Sequence, residues 1–389
     1  MTKLMIVSIA SDHAGFQLKE IIVSHLKALK IKVIDNGPKN DESVDYPSFK
    51  SLGGSLMQEK TFDLKKFEVQ SDFVLDITLK YALVGEVNNE KDNCILLLTS
   101  YSATHEDAAD LIPDREVFDT SEYCFIIVNM IGNSASSSPS NTGEPFDGPR
   151  FPTVTIFDNV RAQHRLVTQE LGITRLRLVM GYSMGALQTF EWGCQHSDMI
   201  DSILPICGAA RVSRHNWLFL ESAKAALQAD QNFEGGDYKA VPEVGMDAFA
   251  KVYAAWAFSQ DFFREELYKN LGMDSVEEVI LFIKNYFGRR EPNDLIAMIE
   301  TWQSANIAYN HEHKGDFEAA LRNINCKAIV MPGSTDLYFR VEDSENEVKH
   351  MPDAELRIID SKLGHVVGSG MDPVGKHLIG LSMKDLLVT

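Results

Sequence analysis

Cysteine is scarce and scattered in this 389-residue sequence. Cys94, Cys124, Cys194, Cys207 and Cys326 are odd in number and contain no C-x-x-C pair. Neither a disulfide framework nor a zinc site of paired thiolates is indicated, and a reduced, cytoplasmic setting is the default expectation. Positive charge is also in deficit: 37 Lys and Arg against 56 Asp and Glu give a formal net charge of −19. A chain of that sign repels a nucleic-acid backbone, so no nucleic-acid partner is expected. Long apolar runs are missing too. The longest, residues 94–98 and 124–130, are of strand length. Roughly 20 residues are needed to span a bilayer, so no membrane partner is expected. The first ten residues hold one Lys and no small-residue cleavage pattern, which argues against a signal peptide. There are no internal repeats.

Two blocks of different character follow. Residues 4–9 read as a buried strand, 16–29 as an amphipathic helix and 31–34 as a second strand. One such βαβ unit cannot cover both faces of its own strands. Ser11-Asp12-His13-Ala14-Gly15, Leu18-Lys19-Glu20, Val33-Ile34-Asp35 and residues 42–47 (Glu-Ser-Val-Asp-Tyr-Pro) resemble the start of a type B ribose-5-phosphate isomerase. The resemblance stops near Phe49, before that family's thiol base and glycine-rich phosphate loop. Residues 1–50 are therefore expected to be a truncated fragment without isomerase activity. Residues 51–57 read as a linker, and 58–389 as the main domain.

From Phe62 the pattern becomes strand, helix, strand. Strand-length apolar runs occur at 94–98, 125–128, 176–180, 203–206 and 328–331, with helical stretches between several of them. That alternation predicts an α/β fold, a mostly parallel sheet flanked by helices. Residues 133–148, rich in Ser, Pro and Gly, read as a loop. Residues 212 to about 322 are long, aromatic-rich and helical, and are expected to form a lid inserted between strands.

Gly181-Tyr182-Ser183-Met184-Gly185 fits G-x-S-x-G. Alone it also fits a plain glycine turn. Here a strand precedes it directly and a helix follows it directly, the setting a nucleophile elbow needs. The turn strains the serine, and the helix N-terminus offers free N–H groups to a developing oxyanion. A serine nucleophile needs a base, and the base needs an orienting carboxylate; in this fold the chain order is Ser, Asp or Glu, His. Asp336 and His365 lie just past the ends of the last two strands, so Ser183, Asp336 and His365 are the candidate catalytic residues. Glu342, Asp343, His350 and His377 are alternatives set less well. The candidate oxyanion donors are the backbone N–H groups of Met184 and of Tyr101, in the loop after the strand ending at Leu98.

Further motifs carry a second resemblance, over about residues 60–389. They are Asn129-Met130 with Gly132-Asn133, Ser138-Pro139-Ser140, residues 151–156 (Phe-Pro-Thr-Val-Thr-Ile), residues 158–163 (Asp-Asn-Val-Arg-Ala-Gln), Ser183-Met184-Gly185 with Glu191-Trp192, Thr335-Asp336 and Gly364-His365. Together they resemble the homoserine O-acetyltransferase family of α/β-hydrolase-fold proteins. The resemblance implies acyl transfer through an acyl-serine in methionine biosynthesis. It implies acetyl-CoA or another acyl-CoA as cosubstrate, an alcohol acceptor, no bound cofactor, and a homodimer formed through the lid. It also implies an Asp directly after the catalytic His to hold the acceptor's amine. That position is Val366 here, and Lys251 is the nearest counterpart of the expected lid arginine. Val366 cannot anchor an ammonium group, so a carboxylic-ester hydrolase on the same scaffold is the alternative, and a non-catalytic binding protein a more remote one.

The remaining signals are read as structural. His311-Glu312-His313 lacks further ligands nearby, so no metal is expected. The lid aromatics Trp256, Phe258, Phe262 and Phe263 are read as packing, and Arg289-Arg290 as a solvated surface pair.

Overall fold

The structure, a computed structural model, describes residues 6–9, 23–27, 32–35 and 57–388. The chain divides into two compact units, Met1–Met57 and Gln58–Thr389. In the first, strands β1 (Ile6–Ile9) and β2 (Lys32–Asp35) pair in parallel, with helix α1 (residues 23–27) between them in sequence. The remaining residues behind the isomerase resemblance, and residues 51–56 of the expected linker, lie outside the described residues. Met57 itself opens a strand.

The second unit is built on one sheet. Its strands are β3 (Met57–Glu68), β4 (Val74–Val84), β5 (Cys94–Leu98), β6 (Cys124–Val128), β7 (Leu178–Tyr182), β8 (Ser202–Ile206), β9 (Lys327–Val330) and β10 (Ala354–Leu356). They lie in the order β10-β9-β8-β7-β5-β6-β4-β3. Pairing is parallel from β10 to β6 and antiparallel between β6 and β4. Every residue of β5, β6 and β8 is buried, as a strand covered on both faces requires. β4 instead alternates buried and exposed positions along its first half, as a half-covered strand does. Helices α2 (His105–Ala108), α3 (Ile156–Arg165) and α4 (Met184–His196) fall between the strands in sequence, and α4 packs against β7 and β8.

Between β8 and β9 the chain leaves the sheet. Helices α5 (Arg214–Gln228), α6 (Glu243–Ala257), α7 (Gln260–Arg264), α8 (Val276–Phe287) and α9 (Pro292–Gln303) form a layer with its own apolar core, in which Phe219, Phe249, Phe262 and Trp302 are buried. The insertion enters and leaves side by side. Arg211 and Asn306 form an antiparallel bridge, the Val212 N–H donates to Ala305 O at 3.0 Å, and the Ile307 N–H donates to Ala210 O at 3.1 Å. Helix α10 (Phe317–Arg322), at the end of the stretch expected as lid, packs instead into the core beneath the sheet through Ala320 and Leu321. Helices α11 (Val341–Val348) and α12 (Pro373–Leu387) complete the unit. Among the described residues no helix is long and apolar enough to cross a membrane.

Candidate active site

β7 ends at Tyr182 and α4 starts at Met184, so Ser183 alone makes the turn from strand to helix. Its φ of 59° and ψ of −120° lie where a side chain is strained, at a cost of about 1–3 kcal/mol. Backbone hydrogen bonds hold it there: the Ser183 N–H donates to Ile206 O at 2.9 Å, and Ser183 O accepts the Ala186 N–H at 2.8 Å. The two motif glycines permit the close approach. A Cβ on Gly181 would stand 2.5 Å from the carbonyl carbon of Gly185, and one on Gly185 would strike the Leu98 carbonyl oxygen. Gly185→Ala is therefore expected to destabilise the fold by about 1–3 kcal/mol, the usual cost of overpacking, read as a lowered thermal midpoint.

The other two candidates converge on this serine. His365 Nε2 lies 2.8 Å from Ser183 Oγ, and His365 Nδ1 lies 2.7 Å from Asp336 Oδ2. All three residues are buried. The second carboxylate oxygen of Asp336 accepts the Tyr338 N–H at 2.7 Å and the Phe339 N–H at 3.2 Å, which leaves Oδ2 for the imidazole. Gly364, at φ 76°, sets His365 in place: a Cβ there would collide with the backbone of Phe258 and Ser259, and its N–H donates to Thr335 Oγ1 at 3.1 Å. The Tyr182 hydroxyl donates to His365 O at 3.1 Å, and the rings of Tyr182 and Tyr338 pack 4.8 Å and 4.6 Å from the imidazole. Burial pushes both phenols well above their ordinary pKa, so they remain neutral beside the histidine. The alternatives sit elsewhere. Glu342 is exposed and paired with Arg340, His350 faces Glu318 at 3.8 Å, and His377 is exposed.

Tyr101 and Met184 flank the same point. Met184 is the first residue of α4, and Tyr101 follows β5 in the loop whose Leu98 carbonyl touches Gly185. Among the described residues neither N–H has a hydrogen-bond acceptor. A chain of side chains braces that loop from behind: Trp192 Nε1 donates to Gln163 at 2.8 Å, Gln163 Nε2 to Gln188 at 2.7 Å, and Gln188 Nε2 to Thr99 O at 2.9 Å.

A cavity of about 200 Å³ opens over Ser183 and His365. Pockets for drug-sized ligands run to roughly 300–1,000 Å³, so this one suits a small molecule. Tyr253, Ala257, Phe282, Ile283, Tyr286 and Phe287 supply its lid-side wall, and Val366 lines it beside the histidine. Of the four lid aromatics singled out in the sequence, none lines it; Tyr253 and Ala257 face it instead, one turn apart on α6. Its lining carboxylates are Asp107 and Asp110, and no Lys or Arg contributes. Lys251 is exposed and paired with Asp247, away from the cavity.

Among the described residues one group, Glu59, His105 and Glu106, gathers three potential metal-ligand atoms within 4.8 Å. Its imidazole is already committed. The Asn129 amide nitrogen donates to His105 Nδ1 at 2.9 Å, with the amide orientation fixed by Oδ1 accepting the His105 N–H at 3.0 Å. His105 Nε2 lies 3.2 Å from Glu59 Oε1. His313, from the spaced histidines, lies 3.3 Å from Cys194 Sγ.

Comparison with known proteins agrees with this architecture. The family model described as alpha/beta hydrolase fold matches residues 103–367. The chain belongs to the α/β-hydrolase fold family. An ethyl acetate hydrolase of Pseudomonas veronii is 39% identical to this α/β-hydrolase over 298 residues, 76% of this chain and 85% of that one. The crystal structure of the acetyl esterase MekB superimposes with a TM-score of 0.82 at 35% identity, over 85% of this chain and 97% of that one. A homoserine O-acetyltransferase of Chlorobium chlorochromatii is 27% identical over 308 residues, 75% of this chain and 85% of that one. The chain is thus an enzyme of the α/β-hydrolase superfamily that is more similar to these esterases than to this acetyltransferase. At the other end, a family model described as ribose/galactose isomerase matches residues 7–65.

Proposed function

We propose that this α/β-hydrolase hydrolyses small carboxylic esters, acetyl esters foremost, through an acyl-serine on Ser183. One observation carries the choice over acyl transfer from a CoA thioester: the cavity over Ser183 has Val366 where an amine-binding carboxylate would stand, two Asp in its wall, and no cation among its lining residues. A CoA phosphate or an amino-acid carboxylate would find no free counter-charge there, since Arg290, behind the wall, is paired with Asp107. A small neutral ester needs none.

In this reading Ser183 Oγ attacks the ester carbonyl while His365 Nε2 takes the hydroxyl proton. The Tyr101 and Met184 N–H groups receive the oxyanion, and Asp336 holds the imidazolium. The C–O bond to the alcohol breaks as His365 returns the proton to the leaving oxygen. Water, deprotonated by His365, then attacks the acyl carbon, and the acyl–Oγ bond breaks as His365 passes that proton to Ser183 Oγ, releasing the carboxylic acid. Similarity to the ethyl acetate hydrolase and the acetyl esterase supports acetyl as the acyl group.

The test sets acetate release from ethyl acetate against thiol release from acetyl-CoA, with and without L-homoserine. Ester kcat/KM is expected to exceed the thioester value by at least about 100-fold, the scale on which 1–3 kcal/mol of pocket fit discriminates, with no effect of homoserine. Homoserine-dependent thiol release at the higher rate would establish acyl transfer instead.

A further inference from the structure

One short stretch of the lid, residues 290–295, grips several loops around the active site. Arg290, between α8 and α9, donates from Nη2 to Asp107 Oδ2 at 2.8 Å, with its side chain only 14% exposed. Asp294 accepts from Ser134 Oγ at 2.7 Å and Ser140 Oγ at 2.6 Å. Leu295 O accepts the Tyr101 hydroxyl at 3.0 Å.

Two of these ties bracket the loop that carries the proposed oxyanion donor. Tyr101 is held at its phenol. A few residues on, Asp107 Oδ2 accepts the Thr104 N–H at 2.9 Å while it also receives Arg290. Between the ties, Ser102 is buried and sits at φ 56°. A serine in that backbone region relaxes unless its surroundings over-determine it. Within the loop itself the Ala103 N–H donates to Ser100 O at 3.1 Å, and Asn133 Nδ2 donates to Ala103 O at 2.9 Å. The Arg290 guanidinium also lies 5.6 Å from the ring centre of Tyr286, a cavity-wall residue.

We infer that Arg290 is a positioning residue for catalysis: acting through Asp107, it holds residues 100–104 so that the Tyr101 N–H points at the reacting carbonyl oxygen. The inference rests on the esterase reading above. A bolt that merely fastened the lid would change stability alone. An oxyanion donor acts on charge that develops in the transition state, so its misplacement appears in kcat more than in KM.

The experiment measures kcat, KM and thermal midpoint on p-nitrophenyl acetate for the full chain and for Arg290→Met, Arg290→Lys, Asp107→Ala and the Arg290→Met/Asp107→Ala pair. Arg290→Met is expected to lower kcat by about 10-fold, KM moving by less than about 3-fold, since a misplacement near 1 Å costs up to about 100-fold. Arg290→Lys should restore most of kcat. Asp107→Ala should lower kcat at least as far, and adding Arg290→Met to it should change kcat no further. If Arg290→Met does not fold, Arg290→Gln takes its place in the same cycle. Wild-type kcat in the single variants with a lowered thermal midpoint would overturn the inference, as would equal losses from Arg290→Met in both backgrounds. A wild-type protein inert toward the ester would instead overturn the esterase reading itself.

Discussion

Asp336→Asn is expected to lower kcat by about 10,000-fold and to leave the fold in place. The cause lies in which atom each partner presents. One oxygen of Asp336 takes the N–H groups of Tyr338 and Phe339, and an Asn at this position keeps that oxygen where two donors require it. Its amide NH2 then faces His365 Nδ1, where Asp336 now accepts at 2.7 Å. A donor there forces the imidazole proton onto Nε2, the nitrogen 2.8 Å from Ser183 Oγ. His365 then points a proton at a hydroxyl it should be deprotonating. Turnover of an acetate ester, with circular dichroism to confirm folding, checks this; kcat within 10-fold of wild type would remove Asp336 from the proposed mechanism.

Ser183→Ala has the larger expected effect, a loss of about 10⁶-fold in kcat together with loss of fluorophosphonate labelling. The elbow should persist, because main-chain groups hold it and not the hydroxyl: Ser183 N–H to Ile206 O, and Ala186 N–H to Ser183 O. Adding His365→Ala to Ser183→Ala should cost almost nothing more, since groups that act as one unit are lost together. Undiminished labelling of folded Ser183→Ala protein would place the nucleophile elsewhere.

The elbow was legible in the sequence because its chemistry constrains neighbours: strand, glycine, serine, glycine and helix must follow one another directly. Asp336 and His365 were legible from a rule of place, just past the ends of parallel strands. The cavity wall was not. α6 buries one broad face, including Phe249, Tyr253, Ala254 and Ala257, which serves its packing on α5 and α8 as well as the cavity, so apolar spacing alone cannot say which of these residues meet the substrate. Arg290 read as a surface cation because its partner, Asp107, lies 183 residues away. β3 escaped notice because it is mostly polar and charged, as an edge strand can be, and holds no continuous apolar run.

The family resemblance does not decide the reaction, for a related reason. Asn129, Asn133, Ser138, Ser140, Asp158, Gln163 and Trp192 spend their polar atoms on bracing loops and capping α3, and none of them lines the cavity. They describe a frame that esterases and acetyltransferases can share. Val366, where this sequence departs from the acetyltransferase pattern, does line the cavity.

The insertion between β8 and β9 enters and leaves through adjacent residues, Val212 and Ala305. The sheet therefore experiences the whole helical layer as a hairpin-sized interruption, whatever lies beyond the gate. That makes the layer a replaceable cassette. A foreign helical cap grafted between Arg211 and Asn306 would keep the Ser183–His365–Asp336 geometry provided it reproduced the lid's ties to the catalytic loops: Arg290 to Asp107, Leu295 O to the Tyr101 hydroxyl, and Ser259 Oγ to Lys362 O. New ester specificities could then be sampled by exchanging caps, with the chemical machinery never re-engineered.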